Sequence, residues 1–228
     1  MEMQGRVAIV TGGSGAIGKA VVSKLLGEGA TVVVATRVAD EKHKPHLAVI
    51  ETDVTSEESV RSLVAQVIAD HGTVDALFNV AGGFKYGPVV EELEGLDWDF
   101  MMDMNLKSTF LCMKHVLPAM KEQRYGRIVS VAARSGLKGD PMVGPYAVSK
   151  GGVILLTQTV AEENKEYGIT ANAVLPSIVD TPANRESMPG SNFETWVAAD
   201  DLAEVMVFLA SERARAVTGA AIPVYNRA

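Results

Sequence analysis

Residues 6–37 constrain this chain more than any other stretch. The run "RVAIVTG" passes straight into "TGGSGAIG" (11–18), then into the helix-length segment "AIGKAVVSKLLGEG" (16–29) and a second β-branched run, "TVVVATR" (31–37). Strands that are apolar on both faces belong to parallel sheets covered on both sides, and parallel neighbours must be joined by a crossover, usually a helix. The glycines sit where the first strand turns into that helix. There the backbone can approach a ligand closely, and the free N–H groups and positive end of the helix dipole suit a diphosphate. Gly12, Ser14, Gly15, Ala16, Ile17 and Gly18 are therefore expected to contact a dinucleotide.

The same alternation continues along the chain. "HLAVIETDV" (46–54) precedes "SEESVRSLVAQVIADHG" (56–72), and "VDALFNVAG" (74–82) follows it. Residues 94–123 read as one long helix broken near its middle, "GRIVSVAA" (126–133) as a strand, 146–166 as a helix and "ITANAVLP" (169–176) as a strand. Ser56 is expected to cap the helix after it, and Gly72 and Gly168 to end helices. The expected fold class is α/β: a single-domain, Rossmann-type doubly wound parallel sheet spanning residues 1–228. Segment 177–200, rich in proline and glycine early on, reads as a long functional loop or short helical lid.

Composition narrows the function classes. The net charge is −7 with scattered single Lys and Arg, so nothing tracks a nucleic-acid backbone. The N-terminal residues show no basic segment leading into a long apolar run, and no stretch approaches 18 uninterrupted apolar residues, so we expect a cytoplasmic protein with no membrane partner. Cys112 is alone in an apolar stretch and reads as a small buried hydrophobe. His43, His46, His71 and His115 lack metal-ligand spacing, so no metal is assigned.

Two positions carry the chemistry. Tyr146 and Lys150, four apart, share one face of a helix, where an ammonium favours the ionised form of a phenol and draws its pKa downward. Thr36 and Arg37 end the second strand, where dinucleotide folds often carry an acid for the ribose hydroxyls. A guanidinium there suits a 2′-phosphate, so NADP(H) is favoured and NAD(H) remains possible, with Asp40 or Glu41 able to reach a ribose.

Together, "TGGSGAIG", "NVAG" (79–82), Asn105 in "MNLKSTF", "YAVSK" (146–150) and "NAVLP" (172–176) resemble the short-chain dehydrogenase/reductase family in order and spacing over essentially the whole chain. That resemblance implies an NAD(P)-dependent enzyme with Tyr146 as general acid or base. It makes Lys150 a ribose ligand, and Asn105 a helix-kinking residue that anchors a proton-conducting water. It adds cofactor contacts at Asp53, Val54, Asn79, Ala81, Gly82, Pro176, Ile178 and Thr181, and implies a homodimer or homotetramer.

The family's usual pattern has serine where Ala133 stands, donating a hydrogen bond to the substrate oxygen. Losing such a donor costs roughly 3–4 kcal/mol of transition-state stabilisation. Three readings stay open. Ser135 substitutes for it in an ordinary ketoreductase, since Ser130 points to the opposite strand face; or the protein senses dinucleotide without chemistry; or the small-molecule substrate does not need the donor. The third is favoured by a closer resemblance to dihydropteridine reductases in "VDALFNVAGGF", Ala133, "GDPMVGPYAVSKGGV" and "VLPSIVDTPANRESMP". That branch reduces a conjugated C=N system; it differs in carrying an acid after the second strand and in lacking the asparagine at 105. Met142 and Phe84 are placed at the pocket, with Met188, Phe193 and Trp196 stacking on a flat acceptor.

Overall fold

A computed structural model of the chain describes residues 1–38 and 45–228; Asp40, Glu41 and His43 lie outside the described residues. Seven strands form one all-parallel sheet in the order β3-β2-β1-β4-β5-β6-β9: β1 Val7–Thr11, β2 Thr31–Thr36, β3 Leu47–Glu51, β4 Ala76–Asn79, β5 Gly126–Val131, β6 Ile169–Pro176 and β9 Ala221–Val224. The order reverses at β1, whose neighbours are β2 and β4; doubly wound sheets bind ligands beyond the carboxyl ends of the strands at such a switch point.

Alternation along each strand decides what covers the sheet. Val10, Val34, Phe78, Val129 and Val174 face α1 (Ala16–Gly27) and α7 (Ala199–Ala210). Ile9, Val33, Leu77, Ile128 and Ala171 face α2 (Glu57–His71), α4 (Ser108–Glu122) and α5 (Gly144–Asn164). Helix termini follow their sequence signals. Ser56 Oγ accepts from Ser59 N at 3.4 Å, and Gly72 closes α2 in the left-handed region at φ 77°. Cys112 is buried in α4, and burial pushes its thiol up to about 12.

The expected break in the 94–123 helix is real. Helix α3 (Gly95–Met101) runs into a π-helical turn at Met102–Lys107 before α4 begins. The segment after β6 holds only short elements: β7 (Val179–Asp180), α6 (Pro182–Ser187), a short turn and β8 (Val197–Ala198), with β7 and β8 paired. No described helix is long and apolar enough to cross a membrane.

Candidate active site

The turn after β1 is packed as tightly as a backbone allows. Gly12 has φ +65°, and a Cβ there would fall 2.9 Å from both Cα and N of Ala81; a Cβ on Gly13 would meet Val34 Cγ1 at 2.7 Å, and one on Gly18 would meet Gly12 O at 2.2 Å. Helix α1 has Gly15 as its N-cap, with no side-chain cap and no acid in its first turn. Its first amides therefore retain capacity for an anion. Thr11 Oγ1 accepts from Val80 N and Ala81 N, both at 3.1 Å, and so ties the loop after β4 to this turn. These features fit a dinucleotide diphosphate at Ser14–Gly18.

At the end of β2, the hydroxyls of Ser14 and Thr36 lie 2.9 Å apart, and Arg37 is exposed. Asp53 Oδ1 accepts from Thr55 N at 2.9 Å and Thr55 Oγ1 at 2.7 Å, which holds its carboxyl below the usual range, with a smaller contribution from the Arg37 charge. Val54 is buried in the core beside Val60 and Leu63, so its side chain faces the protein interior. Asn79 Nδ2 donates to Ser130 Oγ at 3.1 Å, while Asn79 Oδ1 is buried with no partner. Ser130 thus points into the sheet, away from Ala133, as the strand alternation requires. Pro176 is buried at the end of β6, and Ile178 is half-buried just beyond it. Thr181 caps α6, accepting from Asn184 N at 3.2 Å.

Asn105 lies in the π-helical turn and is a hub. Gly83 N donates to its Oδ1 at 2.9 Å, and its Nδ2 donates to Gly83 O and to Ser149 Oγ, each at 3.1 Å. Ser149 Oγ donates in turn to Tyr146 O at 2.8 Å. The carbonyl of Asn105 accepts the Thr109 hydroxyl at 2.8 Å. Its polar atoms are thus engaged with protein partners that join the loop after β4 to the first turn of α5. A Cβ at Gly82 would sit 2.8 Å from Asn105 Oδ1 and 3.3 Å from Lys150 Nζ, so the absence of a side chain there keeps the two groups close.

Tyr146 and Lys150 share a face of α5, with Lys150 Nζ 5.9 Å from the Tyr146 ring centroid. Lys150 is 5% exposed and donates to Val131 O at 2.7 Å. The expected lowering of the phenol by the lysine is corrected here. Burial pushes Tyr146 up to about 12, and burial also brings Lys150 down to about 8. Both groups are desolvated, and the ammonium is turned toward a backbone carbonyl.

Ala133 is buried in extended backbone (φ −163°, ψ 159°) past the end of β5. Ser135 lies half-buried in the following turn, which Gly136 presses onto α5: a Cβ there would fall 2.8 Å from Lys150 C. Phe84 reaches the site as expected, its ring 4.9 Å from that of Tyr146. Met142, exposed with φ +64°, joins the neighbouring rim: its carbonyl accepts from Gly87 N at 2.9 Å.

The lid aromatics divide differently from expectation. Trp196, expected at the substrate, is 4% exposed; its ring packs 4.8 Å from Phe193, and its carbonyl accepts from Asn226 Nδ2 at 2.6 Å. It anchors the lid because its large apolar surface is better buried than offered to solvent. Arg185 pairs with Asp180 through two bonds of 2.6 and 2.7 Å and lies 4.8 Å from the Phe193 ring, stapling the lid to itself. Met188 stays half-buried at the end of α6.

Sequence reasoning missed Thr11 and Ser149, the two hydroxyls that lock this site together. Each had a signal: a threonine ending an apolar strand just before a glycine turn, and a serine inside "YAVSK". Among the described residues no group of three His, Cys, Asp or Glu is placed to hold a metal.

Comparison with known proteins agrees with this geometry. A profile described as short chain dehydrogenase matches residues 6–192. The chain is 33% identical to the 3-oxoacyl-[acyl-carrier-protein] reductase FabG of Thermotoga maritima, covering 98% of each chain. It is 35% identical to dehydrogenase/reductase SDR family member 6 of Aquarana catesbeiana, covering 96% of this chain and 95% of the relative. Among solved structures, ElxO with NADP bound superposes with a TM-score of 0.91 at 26% identity, covering 97% of both chains. With its parallel sheet, tight glycine turn and Tyr146–Lys150 face, the chain belongs to the short-chain dehydrogenase family and is an NAD(P)-dependent oxidoreductase.

Proposed function

We propose that this protein is an NADPH-dependent reductase of a small conjugated acceptor, a C=N of the dihydropteridine kind or an activated C=O, with Tyr146 as proton donor. The observation that carries the reading is Ala133, an apolar residue where the family's usual pattern puts a hydroxyl, beside an otherwise complete Tyr146, Lys150 and Asn105 set. An acceptor already electrophilic through conjugation needs no strong oxyanion donor, so a methyl group at 133 is tolerated.

The roles follow from position. The amides of Ser14 to Gly18 hold the diphosphate, Ser14, Thr36 and Arg37 take a 2′-phosphate, and Asp53 and the Val54 backbone border the adenine. Asn79 to Gly82 line the adenosine side, Pro176, Ile178 and Thr181 the nicotinamide side, and Lys150 the ribose. The bound reduced dinucleotide supplies the two electrons and hydrogen that the acceptor gains. Tyr146 enters neutral, as its burial requires, and donates a proton to the acceptor atom. Lys150 stabilises the phenolate left behind, and the Asn105 hub keeps both groups in register. The chain acts as one domain, and the exposed Phe110 of α4 and Leu155 of α5 support its association as a dimer or tetramer, which light scattering measures.

A second reading has its own observation. Ser135 is half-buried two residues beyond Ala133, and its hydroxyl forms no hydrogen bond among the described residues, which leaves it available to serve a ketone.

The test is an acceptor screen with NADPH and NADH, following loss of reduced cofactor. The reading expects turnover of quinonoid dihydropterin, a loss of about a hundredfold or more in Tyr146→Phe, and weaker NADPH than NADH binding after Arg37→Glu. Turnover confined to ketones and abolished by Ser135→Ala replaces it with the ketoreductase reading.

A further inference from the structure

Phe84 makes a contact that neither the fold nor cofactor binding requires. Its ring meets the Tyr146 ring edge to face, centroids 4.9 Å apart and planes at 86°, and meets Tyr86 at 5.8 Å and 71°. Phe84 is nevertheless 56% exposed and Tyr86 63% exposed. A phenylalanine more than half bare contributes little by burial, so its ring contact with Tyr146 is the main thing it does.

The loop that carries the ring is tied down on both sides of it. Gly83, directly before it, is hydrogen-bonded in both directions by Asn105, and Gly87, shortly after it, donates to Met142 O at 2.9 Å. The same Asn105 amide reaches Ser149, whose hydroxyl holds the Tyr146 carbonyl. One side chain thus fixes both the loop presenting Phe84 and the helical turn presenting Tyr146, which sets the two rings against each other.

We propose that Phe84 is a positioning residue for proton delivery: its ring edge fixes the orientation of the Tyr146 ring and screens the phenol from water. The inference rests on the reading of Tyr146 as proton donor. The charged and titratable groups on the elements that flank Tyr146 include Lys150 on its own helix, Lys85 and Tyr86 on the Phe84 loop, Arg134 on the turn after β5, and Asp97, Asp99 and Asp103 on α3 and the π-helical turn. Lys85 is ion-paired with Asp97, and Arg134 donates to Ala228 O at 2.7 Å. Burial pushes the phenol up to about 12, and the Phe84 ring lies in contact with the Tyr146 ring.

The experiment labels the five tyrosines with 13C at Cζ, assigns Tyr146 with Tyr146→Phe, and titrates the NADP+-loaded wild type, Phe84→Ala, Phe84→Leu and Phe84→Tyr by NMR. Single-turnover rates with NADPH and quinonoid dihydropterin, and NADP+ affinity, are measured on the same proteins. Phe84→Ala is expected to lower the Tyr146 midpoint and slow the single turnover about tenfold, a typical aromatic contact in size, with NADP+ affinity within about twofold. Phe84→Tyr retains both properties, and Phe84→Leu behaves like alanine. An unmoved midpoint in Phe84→Ala, or full function in Phe84→Leu, overturns the proposal. Wild-type turnover in Tyr146→Phe removes the proton-donor reading instead, while the titration separately reports whether the ring screens the phenol.

Discussion

Gly12 and Ala81 meet backbone to backbone across the ends of β1 and β4, near enough that a methyl group on Gly12 would fall 2.9 Å from the Ala81 nitrogen. The contact brings the diphosphate turn and the loop leading to Phe84 together as one unit. Thr11, whose hydroxyl accepts from Val80 N and Ala81 N, holds it closed.

Gly12→Ala combines this clash with a left-handed backbone at φ +65°. It is expected to cost about 2–4 kcal/mol and to weaken dinucleotide binding. Gly95, the first residue of α3, has open space around its missing Cβ, so Gly95→Ala is expected to be neutral or stabilising by up to about 1 kcal/mol. Urea denaturation and NADPH titration of the pair give the comparison, and equal effects would remove the close-approach argument.

Asn105→Ala leaves the Gly83 N–H and C=O without partners in a part-buried loop. The expected loss is roughly 2–4 kcal/mol of stability, with a larger fall in turnover than in cofactor affinity, because the Tyr146 turn loses its tie through Ser149. Thermal denaturation alongside kcat and KM reads both parts.

Lys150 gives a signed pH effect. Its folded pKa is about 8, below the usual value of 10.5, so between those values the unfolded chain binds the extra proton and stability rises with pH. Below about pH 8 the whole penalty applies, roughly 3 kcal/mol. Wild type should therefore gain on Lys150→Met as pH is raised from 7 to 10, measured by urea denaturation. Above pH 10 Tyr146 opposes the trend, since its folded pKa of about 12 lies above the ordinary 10 and the folded protein then holds the extra proton.

Trp196→Ala is expected to cost about 3 kcal/mol and to speed proteolysis within the lid, because the indole is the buried end of the Phe193 stack. Met142→Ala, at an exposed rim position, should stay within about 0.5 kcal/mol. A Trp196 variant as protease-resistant as wild type would show that the lid is anchored elsewhere.

The parallel sheet was legible because alternate residues of each strand face separate helix layers, leaving runs such as "VAIV" and "VVVA" unbroken by polar groups. The break before Asn105 was legible for its position but not its form; a π-helical turn adds one residue without a distinctive composition. Partner choice was not legible. Whether Lys150 faces a phenol or the Val131 carbonyl, and whether the Trp196 segment is buried against the residues around Asn226 or left open to a ligand, depends on contacts between segments well separated in sequence, which no local pattern encodes.

The strand order carries a consequence for biosynthesis. β1 pairs with β4 some seventy residues downstream, and β6 waits for β9 near the end of the chain. Such nonlocal pairing makes folding slow and leaves incomplete chains with sticky, unpaired sheet edges. A nascent chain released from the ribosome only as far as α4 would carry the glycine turn but not the helix bearing Tyr146, so the halves of the site come together only after α5 is made.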